Sequence, residues 1–108
     1  MMIVKRAQVA ATPAGAGVER RVLAHQGSLM LVEVSFAKGS VGAVHTHPHE
    51  QVTYVVKGSL ELQLGEEKQV IKAGDSYYVA PDLPHGVVAL EEAVLIDIFS
   101  PQREDFLH

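Results

Sequence analysis

The run His45-Thr46-His47-Pro48-His49-Glu50-Gln51 constrains this chain more than any other feature. In a strand, side chains at i, i+2 and i+4 share one face. The spacing therefore predicts that His45 and His47 lie together on a strand and aim at one metal ion. His85 comes much later in the chain and supplies a third imidazole from a distant strand. A strand resuming after the Pro48 turn can add another donor. Such a site needs strands wrapped around it, as in a β-barrel, and it suggests an enzyme.

The rest of the chain has the same character. Strand-like runs cover residues 18–24, 29–36, 42–47, 51–57, 59–64, 68–71, 76–80, 86–90 and 93–99. Gly, Pro or charge punctuates nearly every junction. Many short strands with regular turns predict an all-β sandwich or barrel. No stretch of useful length has helical periodicity, and only residues 102–107 suit a helical turn. Leu60, Leu62 and Leu64 alternate with Glu61 and Gln63, as in a strand with one wet face. The last strand differs. Val94, Ile96 and Ile98 form one face, and Leu95, Asp97 and Phe99 the other, so both faces are expected to be buried. Asp97 is then a carboxylate in an apolar strand, and such a group is costly unless paired or hydrogen-bonded.

Composition sets outer bounds. One domain is expected from 108 residues, 47% of them hydrophobic. Residues 1–17 read as a flexible lead-in, with 18–108 as the single domain. A net charge of -4 argues against a nucleic-acid binder. There is no cysteine, so a metal must be held by imidazole, carboxylate, amide or water. No apolar run reaches the ~18 residues of a membrane span. The lead-in is small and Pro/Gly-broken rather than greasy, so no signal peptide is read there and the cytoplasm is the expected compartment. A core this modest favours pairing with a second copy, and a homodimer is expected.

These residues resemble the cupin motifs. Gly39, His45, His47, position 51 and Gly58 follow the first motif; Gly74, Asp75, Pro81 and His85 follow the second. The resemblance implies a cupin fold, a double-stranded β-helix or jelly-roll barrel. Gln51 stands where the motif usually has glutamate. The wording His-Pro-His-Glu-Gln, with the ending Asp97-Ile98-Phe99-Ser100-Pro101-Gln102-Arg103-Glu104-Asp105-Phe106, is similar to the KdgF-type proteins of pectin and alginate breakdown. That resemblance runs from about Arg20 to Leu107. It implies conversion of 4,5-unsaturated monouronates to linear 4-deoxy-5-keto-uronates, a small anionic sugar being the substrate. It also implies metal ligands at His45, His47, Gln51 and His85, and catalytic residues at Asp97, Phe99 and Arg103. Arg20 and Arg21 share the resemblance without an assigned role.

The residue types suit that chemistry. Three imidazoles and an amide oxygen carry no charge, so a divalent ion keeps its full +2. Against a carboxylate ~4 Å away, one unit of charge is worth about 4 kcal/mol at an effective dielectric of ~20. Nickel, zinc, manganese, iron and copper all suit an imidazole-rich set. Asp97 is expected as the base and proton donor, Arg103 as the carboxylate clamp, and Phe99 as packing against the sugar face. A structural Asp97–Arg103 ion pair is the plainer alternative. His49 shares parity with the ligands and is a lesser ligand candidate, but with Pro48 before it reads first as a turn residue or a support for a ligand. Glu50 reads as an acceptor for a histidine N–H, and His25 and His108 as surface residues. Tyr54, Tyr77 and Tyr78 read as packing or interface. Two other functions are open: a metal-dependent dioxygenase, which usually has glutamate at the Gln51 position, and a non-catalytic sugar or metabolite sensor.

Overall fold

A computed structural model describes residues 2–107. His108, expected on the surface, lies outside the described residues. Ten strands follow in chain order: β1 Thr12–Pro13, β2 Val18–Gln26, β3 Leu29–Phe36, β4 Val41–His45, β5 Glu50–Lys57, β6 Ser59–Leu64, β7 Glu67–Lys72, β8 Ser76–Val79, β9 His85–Ala89 and β10 Ala93–Ser100. A six-stranded sheet has the order β1-β2-β3-β10-β5-β8, and a four-stranded sheet the order β4-β9-β6-β7. Every described pairing is antiparallel. From β3 onward every connection except the β6–β7 hairpin passes from one sheet to the other, so the two inner faces meet over a shared core, as the all-β jelly-roll expectation requires.

Alternation along each strand builds that core. Val18 and Phe36 from the larger sheet pack with Leu60, Leu62 and Val87 from the smaller. A second cluster of Met30, Val32 and Phe99 closes the other end, with Phe106 and Leu107 packed against it. The end of the chain makes a 3-10 turn over Glu104–Phe106, within the stretch read as a helical turn.

Two differences from the expected strands matter for the site. The strand expected over 42–47 stops at His45, which makes the last ladder pair of β4 with His85. Residues 46–49 instead carry the chain across to the other sheet, where β5 begins at Glu50. Pro48 has no N–H to give to a ladder and fits that crossing. The last strand is also not buried on both sides. Leu95 and Phe99 are buried, but Ile98 on the opposite face is 40% exposed. Only the inner face of the larger sheet meets the second sheet, which leaves its outer face open.

Within residues 1–17, Arg6–Gln8 form a 3-10 turn and β1 pairs with β2. Arg6 forks onto Glu33, with Nε 2.7 Å and Nη2 2.9 Å from its two carboxylate oxygens. Glu33 is thereby buried and its carboxyl is held below the usual range, chiefly by those hydrogen bonds.

Candidate metal and substrate site

His45 and His85 face each other across the β4–β9 ladder, with ring centroids 4.4 Å apart. A close approach of the two strands makes this possible. At Gly86 an added Cβ would lie 2.8 Å from the Gly42 carbonyl oxygen and 2.9 Å from the Val44 nitrogen. The ladder is irregular between Gly42 and His45, which re-aims the end of β4. His47 follows on the crossing segment, its ring 4.7 Å from that of His85. The Asp82 N–H donates to the His47 carbonyl at 2.8 Å, so the loop before β9 pins the crossing segment.

The three imidazoles are set by backbone carbonyls. Nδ1 of His45 lies 2.9 Å from the Ala43 oxygen, Nδ1 of His47 3.1 Å from the His49 oxygen, and Nδ1 of His85 2.8 Å from the Leu83 oxygen. Donation from Nδ1 leaves each lone pair on Nε2. Ligand atoms of the three histidines lie within 4.8 Å of one another. Nε2 of His85 is buried without a hydrogen-bond partner. Burial is also the main cause that lowers the pKa of His47 and brings that of His85 down to about 4, which keeps both rings neutral. Neutral rings with converging lone pairs, one of them buried and unpartnered, fit a divalent transition ion.

Gln51 enters from the opposite sheet. Its Oε1 lies 3.0 Å from Nε2 of His47. Two acceptor atoms at that separation suit a cation shared between them. The amide is oriented from behind: Nε2 of Gln51 donates to Thr53 Oγ1 at 2.8 Å and to Asp97 Oδ1 at 3.2 Å. A carboxylate can only accept, so the amide nitrogen belongs on that side and the oxygen on the histidine side. Thr53 in turn donates to Asp97 Oδ1 at 2.6 Å. Thr53 is fully buried and lies between Asp97 and Tyr77 in register.

Asp97 is therefore not paired with Arg103, and the plain ion-pair alternative does not hold. Burial raises its carboxyl to about 6, while the Thr53 and Gln51 hydrogen bonds, Arg103 and His45 pull the other way. Arg103 forks onto Asp105 instead, Nε to Oδ1 at 3.1 Å and Nη2 to Oδ2 at 3.0 Å. Its guanidinium carbon sits 5.2 Å from the Phe99 ring centre, and Phe99 meets the His47 ring edge-on at 5.6 Å. A cavity of about 320 Å³ joins these groups, with His45, Gln51, His85, Asp97, Phe99 and Arg103 on its wall.

Other expectations fare unequally. His49 supports His47 through its carbonyl and is not part of the converging histidine group. Glu50 accepts the Tyr78 hydroxyl at 2.7 Å on the outer surface, not a histidine N–H, because it alternates with inward-facing Gln51. His25 is half-buried and hydrogen-bonded to Gln102 at 2.8 Å. Tyr77, read as packing, lines the cavity, while Tyr54 and Tyr78 are each 50% exposed. The sequence reading missed Thr53, although it sits two residues after Gln51 on the same face. It also left Arg20 without a role; Arg20 shares parity with inward-facing Val18.

Residues 32–99 match the Cupin domain family. The chain is a cupin. Among curated proteins, this cupin is 47% identical over 95 residues to the pectin degradation protein KdgF of Dickeya dadantii (strain 3937), covering 86% of each chain. Among solved structures it is similar to an RmlC-like cupin from Shewanella frigidimarina, at 40% identity and a TM-score of 0.94. That match covers 98% of this cupin and 96% of the other chain. It is also similar to KdgF from Halomonas sp., at 36% identity, a TM-score of 0.93 and 98% coverage of both chains.

Proposed function

We propose that this cupin opens 4,5-unsaturated monouronates to linear 4-deoxy-5-keto-uronates. The observation that carries this reading is the placement of Asp97. It shares one cavity with Arg103 and with His45 and His85 of the three converging histidines, and it is hydrogen-bonded to Gln51, whose amide oxygen meets the third, His47. The similarity to KdgF proteins supports the substrate class.

The substrate is a cyclic hemiacetal whose ring oxygen is attached to the alkene carbon C5. Loss of the O1 proton forms the C1 carbonyl and breaks the bond from C1 to the ring oxygen. The electron pair becomes an enolate at C5, and a proton added at C4 gives the 5-keto acid. The product is an isomer of the substrate, so no oxidant or water is consumed. Asp97 takes the O1 proton and returns one to C4. Its Oδ1 is held by Thr53 and Gln51, which leaves Oδ2 to carry the proton. A pKa of about 6 suits a group that must both accept and release a proton near neutrality. Arg103 pairs with the substrate carboxylate; Asp105 takes its Nε and Nη2 edge and leaves Nη1 outside that fork. Phe99 gives the sugar an apolar wall beside His47. His45, His47, Gln51 and His85 would hold a nickel, zinc, manganese, iron or copper ion, which supplies positive charge where the enolate develops.

The reading also assigns a cytoplasmic homodimer. The outer face of the larger sheet supports the dimer: Val52 lies in register beside Ile98 and Tyr78, and Tyr54 beside Ile96. Val52, Tyr54, Tyr78 and Ile98 are all exposed in the single chain.

Chelator treatment tests the catalytic reading. Turnover of a freshly lyase-generated unsaturated uronate should fall at least 100-fold on metal removal and return with one of the five divalent ions. Turnover unchanged after metal loss is verified would rule the reading out.

A further inference from the structure

Arg20 is a charged residue on the inner face of β2, between apolar neighbours on that face. It lies two residues after Val18, which is buried in the core, and two before Val22, which packs against Met30, Val32 and Phe99. In register it pairs with Val34 and reaches the wall of the cavity that holds the histidines. Its guanidinium carbon stands 3.9 Å from the centre of the Phe106 ring, and that of Arg103 stands 4.2 Å from the same ring. Phe106 itself packs edge-on against Phe99 at 5.8 Å. The ring attracts both cations through its face and fixes where they sit. Among the described residues Arg103 has Asp105 as an ion-pair partner, whereas Arg20 pairs with no carboxylate.

The charge balance of the cavity makes this pair informative. Asp97 is the one acid among the described residues on its wall, against two guanidiniums. Yet the chain as a whole carries a net charge of -4. Two like charges held around one ring repel each other, and an anion reaching both relieves that repulsion.

We propose that Arg20 and Arg103 form a two-guanidinium clamp, spaced by Phe106, that grips the carboxylate of a uronic acid at the cavity mouth. The clamp rests on the uronate reading above for its ligand class, but it concerns binding and not turnover. Arg20 is in this view a substrate-contacting residue that sets the preference for acidic over neutral sugars.

Calorimetric titration of the metal-loaded protein with D-galacturonate, which has no alkene to react, tests binding alone. The wild type should bind galacturonate and show no heat with D-galactose. Arg20→Gln should weaken galacturonate binding about 10-fold or more, the scale of a lost hydrogen bond between charged groups. On the unsaturated substrate the same variant should raise KM by a similar factor and leave kcat within about 3-fold. Arg20→Lys keeps the charge but loses the planar fork and stack, so it should weaken binding by a smaller factor. It carries the test should Arg20→Gln fail to fold by circular dichroism. Equal affinity of the wild type and the folded variant would overturn the clamp, and so would a wild type that binds galactose as well as galacturonate or binds neither. Arg20-dependent galacturonate binding in a protein that turns over no unsaturated uronate would uphold the clamp and sink the catalytic reading instead.

Discussion

Asp97 and Thr53 show what single side chains do here. Burial lifts Asp97 from its ordinary 3.8 to about 6. A carboxyl whose folded pKa is raised favours folding fully below the unfolded value and loses that contribution as pH rises through the folded value. In metal-free protein, Asp97→Asn should therefore be more stable than wild type by about 1–3 kcal/mol at pH 7.5. The difference should vanish near pH 4, as paired thermal melts at the two pH values would show. The same variant should lose at least 100-fold in turnover while retaining its metal by elemental analysis. Near-normal turnover would remove Asp97 from the base role. Thr53 acts one step further back, since it receives the Gln51 amide and donates to Asp97. Thr53→Val leaves the amide free to turn and should weaken metal binding by about 10-fold or more in a calorimetric titration, with Thr53→Ser restoring most of it. An unchanged affinity would show that the amide needs no such anchor. Neither Thr53 nor the Asp105 partner of Arg103 was legible in the sequence. Parity says that Thr53 shares a face with Gln51, but not which atoms across the sheet lie within hydrogen-bond reach.

At the scale of elements, most strands were legible because alternation and turn residues agree along nearly the whole chain. β3 and β6 begin and end where the residue pattern places them. The end of β4 was not legible, because the histidine spacing fits an extended strand as well as it fits a strand followed by a crossing segment. The outer face of β10 misled for a related reason: an apolar face reads the same whether the fold covers it or leaves it open. The convergence of His45 and His85 depends on how closely β4 and β9 approach at Gly86. Gly86→Ala puts a methyl group against backbone atoms that cannot turn away. It should lower stability by about 1–3 kcal/mol and weaken metal affinity, as a thermal melt and a metal titration would report. An unaffected metal affinity would mean that the crossing does not set the histidine spacing.

At the scale of the whole molecule, the two sheets divide the labour. The smaller sheet supplies His45 and His85, the larger supplies Gln51, Thr53 and Asp97, and the chain end brings Arg103 and Phe106 to the cavity. The candidate site thus lies in the space between the sheets, while Val52, Tyr54, Tyr78 and Ile98 are exposed on the outer face of the larger sheet, the face proposed for association. Light scattering should give a dimer mass for the wild type, and Tyr54→Glu should shift it toward the monomer. A monomeric wild type would contradict the dimer. The most direct test of the central claim is proton NMR of a lyase-generated 4,5-unsaturated galacturonate with the metal-loaded protein, against a no-enzyme control. The account predicts accelerated loss of the alkene proton, matched by growth of the linear keto acid and abolished by Asp97→Asn. Alkene loss at the control rate for galacturonate-, mannuronate- and guluronate-derived substrates, with metal confirmed in the site, would contradict it.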